Sequence, residues 1–309
     1  MIKEIAYSSR EEWLSLRKGY IGGSDAGAVI GLNPYKGAYA LWAEKTGKIP
    51  EFEGNITTRV GSYLEDLVAQ MFTEETGKKV RRKNRMLVND LYPFACADVD
   101  RMVVGEDSLL EIKTTNSIPV VKKFKNGEYP ESWYAQMMHY LAVSGLKKAY
   151  LAVLIECREF KIFELERDED EISALMNAEK EFWRCVETDT PPAVDGSEST
   201  SDTLSAVYPQ STDGVVNLFA FEADLALYEE LQKQEDEIGR QINEIVNRIK
   251  LFMGESGRGE SRLHRVSWTT RSRTTFDSKR FIQDHPNLNL EGYQKTTTYR
   301  VFGVGDKVN

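Results

Sequence analysis

Ala97-Asp98-Val99-Asp100-Arg101-Met102-Val103, a turn at Gly105-Glu106-Asp107, and Leu109-Leu110-Glu111-Ile112-Lys113 form the stretch that decides the reading of this chain. Side chains alternate faces along a strand, so Asp98 and Asp100 are predicted to share one face of a first strand, and Glu111 and Lys113 one face of a second. A short hairpin brings the two polar faces together. Val99, Leu109, Leu110 and Ile112 are strongly apolar and predict a buried hairpin, where a charge is costly unless it is paired or binds metal. Phosphodiester hydrolysis needs an activated water, neutralisation of a phosphate that gains charge, and a stabilised leaving oxygen; carboxylates holding one or two Mg²⁺ or Mn²⁺ ions supply all three. A neighbouring lysine can orient or deprotonate the water and balance charge. Taken alone, the D…ExK pattern also fits a solvated strand face of alternating charge.

Outward from the hairpin, Val60, Leu64, Leu67, Val68, Met71 and Phe72 have the spacing of an amphipathic helix over 60–76, ended by Gly77. This helix places Glu65 beside its apolar stripe. Strands are predicted at about 80–89, 94–104 and 108–114, a helix around Trp133, Met137, Tyr140 and Leu141, strands at 148–155 and 158–165, and an acidic helix over 168–188. The order predicts an α/β fold with a mixed central sheet and helices on its faces. Pro191-Pro192 ends this domain, 1–192; the Ser/Thr/Asp-rich stretch that follows predicts a linker, 193–214. The extension, 215–309, combines a long helix, in which Leu231, Ile238, Ile242, Ile245, Ile249 and Phe252 repeat in heptad-like steps, with a β-like tail. Such a helix needs a partner, inside the chain or outside it.

The 309 residues carry a formal net charge of −9, which argues against a protein that coats nucleic acid with its whole surface. Basic residues nonetheless gather in two runs, Lys78–Arg85 and Arg258–Arg280. Cys96, Cys157 and Cys185 have no metal-binding spacing and are one short of an iron–sulfur set. A reducing, cytoplasmic setting fits them. No membrane span, Walker motif or histidine cluster is legible; His139, His264 and His285 are isolated in sequence, with structural roles expected.

The hairpin and its surroundings resemble the YqaJ-type viral recombinases, relatives of the phage lambda exonuclease within the PD-(D/E)xK, restriction-endonuclease-like fold. The resemblance covers residues 8–190. It runs through Arg17, Gly22-Gly23-Ser24-Asp25, Asn33-Pro34-Tyr35, Leu41-Trp42-Ala43-Glu44-Lys45-Thr46-Gly47 and Gly61-Ser62-Tyr63-Leu64-Glu65. It continues through Val99-Asp100-Arg101, Leu110-Glu111-Ile112-Lys113-Thr114-Thr115, and Gln136 with Tyr140.

The resemblance implies that Asp100, Glu111 and the backbone carbonyl of Ile112 hold metal, that Lys113 is the catalytic lysine, and that Glu65 completes the site directly or through water. Gln136 is placed near the active site, and Arg17 with Ser24 matches the pair that grips a 5′-phosphate. Asp98 departs from the pattern, putting an acid where the lambda-type enzyme has a serine. The Gly22-Gly23-Ser24 turn reads equally as a phosphate cradle and as a helix cap. The implied activity is Mg²⁺-dependent digestion of linear double-stranded DNA from 5′ ends, leaving 3′ tails for a single-strand annealing protein; a homo-oligomeric ring trimer is implied in the same way. An endonuclease on the same fold and a non-cutting DNA-binding recombination partner are the alternatives.

Overall fold

The computed structural model describes every residue except Glu53, Asn287, Asn289, Leu290, Gln294 and 306–309. The chain forms two compact units, Met1–Tyr208 and Pro209–Asn309. The first runs β1 (Ile2–Ile5), α1 (Arg10–Lys18), β2 (Ile21–Gly22), α2 (Gly23–Val29), α3 (Ala38–Lys45), α4 (Ile56–Thr76), β3 (Val80–Arg81), β4 (Met86–Asn89) and β5 (Tyr92–Ala97). It continues with β6 (Arg101–Val103), β7 (Ser108–Thr115), α5 (Ile118–Lys125), α6 (Glu131–Ser144), β8 (Lys148–Ile155), β9 (Glu159–Glu166), α7 (Glu169–Glu187) and α8 (Glu198–Val207).

Two mixed sheets carry the unit. One has the order β3-β6-β7-β8-β9 and the other β1-β4-β5-β2. In the first, β7 and β8 are parallel, and the crossover between them is long enough to contain α5 and α6. Helices cover both faces of this sheet, so β8 reads as an almost unbroken apolar run rather than as an alternation. Leu109, Leu151 and Val153 face Met137 and Leu141 of α6 and Ile172 of α7, while Leu110, Ile112, Tyr150 and Ala152 face Val68 and Phe72 of α4. The mixed α/β architecture is the one the sequence predicts. Among the described residues, no helix is long and apolar enough to cross a membrane.

Three expectations are corrected. The strand predicted over 94–104 is two strands, β5 and β6, in different sheets, joined by residues 98–100 as the chain passes from one sheet to the other. Asp98 and Asp100 therefore lie on a link and do not share a strand face. The predicted linker 193–214 contains α8, which packs on α3 and has Thr200 and Thr203 buried. Its small hydroxyl residues serve the helix rather than loosen the chain: Ser197 Oγ caps it by accepting from the Thr200 N–H at 3.2 Å, and Thr203 Oγ1 donates to the Ser199 carbonyl at 2.7 Å.

The third correction concerns the extension. The heptad-spaced segment is a 32-residue helix, α9 (Glu222–Met253), with Leu231, Ile238, Ile242, Ile245 and Ile249 along one exposed stripe. The predicted β-like tail holds only one short hairpin among its described residues, β10 (Arg258–Glu260) with β11 (Arg265–Ser267), followed by irregular chain and α10 (Ser278–Asp284). Its Thr, Tyr and Val residues have β propensity but lack a sheet on which to pack.

Candidate active site

β7 lies at the centre of its sheet, and its alternation decides which side chains meet. Glu111 and Lys113 point to the α6 side, opposite Leu110 and Ile112. On α6, Gln136 bridges them: its Nε2 donates to Glu111 Oε1 at 2.7 Å, and its Oε1 accepts from Lys113 Nζ at 2.8 Å. Lys113 Nζ also stands 2.7 Å from Glu111 Oε1. One turn along, Tyr140 Oη accepts from Gln136 Nε2 at 3.0 Å. Asp100, on the link into β6, has Oδ2 fixed by the Ile112 N–H at 2.8 Å. The sequence-predicted Asp100, Glu111, Lys113 and Gln136 are thus brought together in one cluster.

The electrostatics of this cluster are unbalanced. Glu111 is only 2% exposed, and its Oε2 has no hydrogen-bond partner. Burial pushes its carboxyl up, and the neighbouring Asp100 charge pushes it further. Burial also raises Asp100, against the pull of Lys113. A buried acceptor without a donor, beside a second carboxylate, is a hard-oxygen environment of the kind that suits a divalent cation. Among the described residues no group of three His, Cys, Asp or Glu side chains forms a ready metal cage. Glu65 lines the same cleft, but its Oε2 lies 3.7 Å from Arg101 Nη1. Burial raises its carboxyl, and Asp100 adds to the rise. Asp100, Glu111 and the Ile112 backbone offer oxygen donors of the type that suits a Mg²⁺-type ion, with Glu65 lining the same cleft.

Arg101, quoted in the sequence motif without a role, is nearly buried. It donates to the Asp100 carbonyl and to Asp66 Oδ1, each at 2.7 Å. It thereby pins both the link that carries Asp100 and the stretch of α4 that carries Glu65.

Arg17 and Ser24 line the same cleft of about 470 Å³ as Asp100, Glu111 and Lys113. Arg17 Nη2 donates to Ser24 Oγ and lies 3.2 Å from Asp25 Oδ1. Sequence reasoning assigned no role to Asp25. Burial would raise its carboxyl, but Arg17 and Lys45 outweigh burial and hold it well below the carboxylate range. Lys45 Nζ stands 3.0 Å from Asp25 Oδ2, which also accepts from the Gly22 N–H at 3.1 Å. The helix-cap reading of the glycine turn is therefore realised, by Asp25. An acidic residue inside the first turn of a Gly-led helix was the available signal.

Asp98 is held apart from the carboxylate pair. Its Oδ2 accepts from Trp13 Nε1 at 2.5 Å and its Oδ1 from Tyr7 Oη at 3.4 Å, and burial raises its carboxyl. Trp13, which the sequence did not single out, is thus the group that occupies the unexpected acid.

Gly23 permits the approach of α2 to α6. A Cβ there would run into Tyr140 Cε1, inside any tolerable contact. Gly23→Ala is expected to displace the Tyr140 ring and loosen Gln136, lowering stability by about 1–3 kcal/mol. Denaturant melts measure that loss, and an unchanged midpoint would show that α2 shifts freely.

Residues 12–147 match the YqaJ-like viral recombinase domain. The uncharacterized protein YqaJ of Bacillus subtilis (strain 168) is 37% identical over 302 residues, covering 96% of this chain and 94% of that protein. The fold is similar to the crystal structure of the alkaline exonuclease LHK-Exo from Laribacter hongkongensis, at a TM-score of 0.51 and 20% identity, over 58% of this chain and 94% of that one. The structure of LHK-Exo in complex with dAMP matches over the same shares, with a TM-score of 0.51 and 21% identity.

Proposed function

This chain belongs to the YqaJ-like viral recombinase family, and from that premise we propose that it is a metal-dependent exonuclease that digests linear double-stranded DNA from 5′ ends, leaving 3′ single-stranded tails. The observation that carries this reading is the unpartnered, buried Glu111 Oε2 beside Asp100, in a cleft that also holds Lys113. Asp100, Glu111, the Ile112 carbonyl and Glu65 would hold a Mg²⁺ or Mn²⁺ ion, which would supply the charge that activates water and stabilises a phosphate gaining negative charge.

The chain's own side chains do the positioning. Lys113, tied to Glu111 and Gln136, presents Nζ to the phosphate and the incoming water. Gln136 fixes both partners, and Tyr140 fixes Gln136. Arg17 has donors beyond the one engaged by Ser24 and Asp25, and a terminal phosphate is the ligand that suits them. The 3′ tail is the substrate a single-strand annealing protein consumes, and a homo-oligomeric ring, such as a trimer, would keep the enzyme on its strand.

The test is cleavage of end-defined duplexes with added Mg²⁺. Linear duplex should be shortened from its 5′ ends while closed circles resist; rapid cutting of circles would replace this reading with an endonuclease. Duplex bearing 5′-phosphates should be digested faster than the same duplex with 5′-hydroxyls. Arg17→Ala should erase that preference while Lys45 and the Gly22 N–H keep Asp25 partnered. An equal response to both ends in the unmodified protein would remove Arg17 from phosphate binding and leave the nuclease assignment standing.

A further inference from the structure

The basic run of the first unit is largely neutralised in place. Lys78 pairs with Glu106, Arg82 with Asp66, and Lys83 and Arg85 with Glu4. The run in the second unit is not. From Arg258 to Arg280 it sets Arg258, Arg262, Arg265, Arg271, Arg273, Lys279 and Arg280 against only Glu260 and Asp277, in a chain of net charge −9. Arg265 pairs with Glu260 and Arg280 with Asp284. Among the described residues, the other five basic side chains form no ion pair.

At the centre lies Trp268-Thr269-Thr270-Arg271-Ser272-Arg273-Thr274-Thr275-Phe276: two guanidiniums, five hydroxyls, no acid, and an aromatic residue at each end. Every residue of it is exposed, and none lies in a helix or strand. Trp268 is 46% exposed and Phe276 73%. Both ends are nevertheless anchored. The Trp268 N–H donates to the Gly257 carbonyl at 3.0 Å beside the β10–β11 hairpin, and the Phe276 ring lies 5.0 Å from that of Phe281 in α10, which Asp277 caps.

We propose that this tethered arm binds single-stranded DNA. Arg271 and Arg273 take backbone phosphates with help from the flanking hydroxyls, while Trp268 and Phe276 stack on unpaired bases. A solvated loop accounts for the charge but not for two large aromatic residues this exposed at its ends, Trp268 with Lys250 Nζ 5.7 Å from its ring and Phe276 with only Phe281 beside it, and a site for duplex backbone has no use for them. A site for unpaired DNA uses both, because a positive track holds the phosphates and each ring offers a face to a base whatever its sequence. The inference rests on DNA being the substrate and deepens that reading: the arm would hold the 3′ tail that digestion exposes.

The test uses the full chain with a chelator present, so that no strand is cut, and follows fluorescence anisotropy of a labelled oligothymidylate and of a blunt duplex across a salt series. Arg271→Ala with Arg273→Ala should weaken binding to the single strand and reduce the log–log salt slope by about 1.4, two contacts at about 0.7 each. Trp268→Ala should weaken the single strand by about tenfold and leave the duplex within about twofold. Unchanged affinity and slope would overturn the proposal, as would equal losses on single strand and duplex. Cleavage of linear duplex with Mg²⁺ is scored separately. A chain that binds the single strand through this arm but cuts nothing would refute the nuclease reading alone, and one that cuts but ignores these substitutions would refute the arm alone.

Discussion

Glu111→Gln is expected to abolish cleavage and, in the absence of metal, to raise stability. Both results follow from one buried carboxylate. The amide put in its place would retain an oxygen for Gln136 Nε2 but would lose the negative charge that pairs with Lys113 and that the proposed metal would need. A loss of about 4 kcal/mol of transition-state stabilisation is about a thousandfold in rate. Asp100→Ala and Lys113→Ala should be similarly inactive.

The stability gain carries a pH signature. The Glu111 carboxyl is raised from 4.5 to about 8 in the folded protein, by burial and then by Asp100. A group whose folded value is raised contributes stability that is present below its unfolded value and lost as pH rises through the folded one. Metal-free wild-type protein should therefore lose thermal stability between about pH 5 and about pH 8, and Glu111→Gln should flatten that decline. Full activity in a folded Glu111→Gln protein, or a parallel pH decline in variant and wild type, would remove Glu111 from the site.

The second large effect lies at a buried pair outside the candidate site. His139 of α6 and Glu179 of α7 are both fully buried; His139 Nδ1 lies 2.8 Å from Glu179 Oε1, and His139 Nε2 lies 2.9 Å from the Cys96 carbonyl. Burial lowers the histidine, but Glu179 overrules it and the net shift is upward. His139→Leu strands Glu179, whose Oε2 already lacks a partner, and should destabilise the first unit by about 3–5 kcal/mol. Replacing both residues, His139→Leu with Glu179→Met, should recover most of that loss, because the buried charge disappears with its partner. Denaturant melts of the two single variants and the double variant measure the coupling; additive losses would show that the two residues act independently. The raised histidine contributes stability that is complete below its unfolded value of 6.5 and lost as pH rises through its folded value, so His139→Leu should lack that part of the alkaline decline.

These two clusters separate what is local from what is not. The sequence by itself determined the mixed α/β class, α4 with its end at Gly77, where φ is 71°, and the identity of β7 and β8. Each is written in short-range periodicity and in residues that suit one backbone conformation. It also determined that Glu111 and Lys113 share a face, because alternation along one strand needs no knowledge of neighbours. Tertiary structure decided what meets that face. Gln136 reaches Glu111 across 25 positions, and His139 finds Glu179 across 40. The pairing of Asp98 with Asp100 failed because a strand-like run can be cut where the chain changes sheets, and local composition does not mark the crossing. The linker expected before Tyr208 failed for a related reason: Ser and Thr are loop-formers in isolation, but beside α3 their hydroxyls cap and pack a helix. Sequence thus specified the chemistry carried by each strand and helix, while sheet topology and packing between elements decided which charges are buried, paired or left without a partner, since those energies depend on distances that no local pattern encodes.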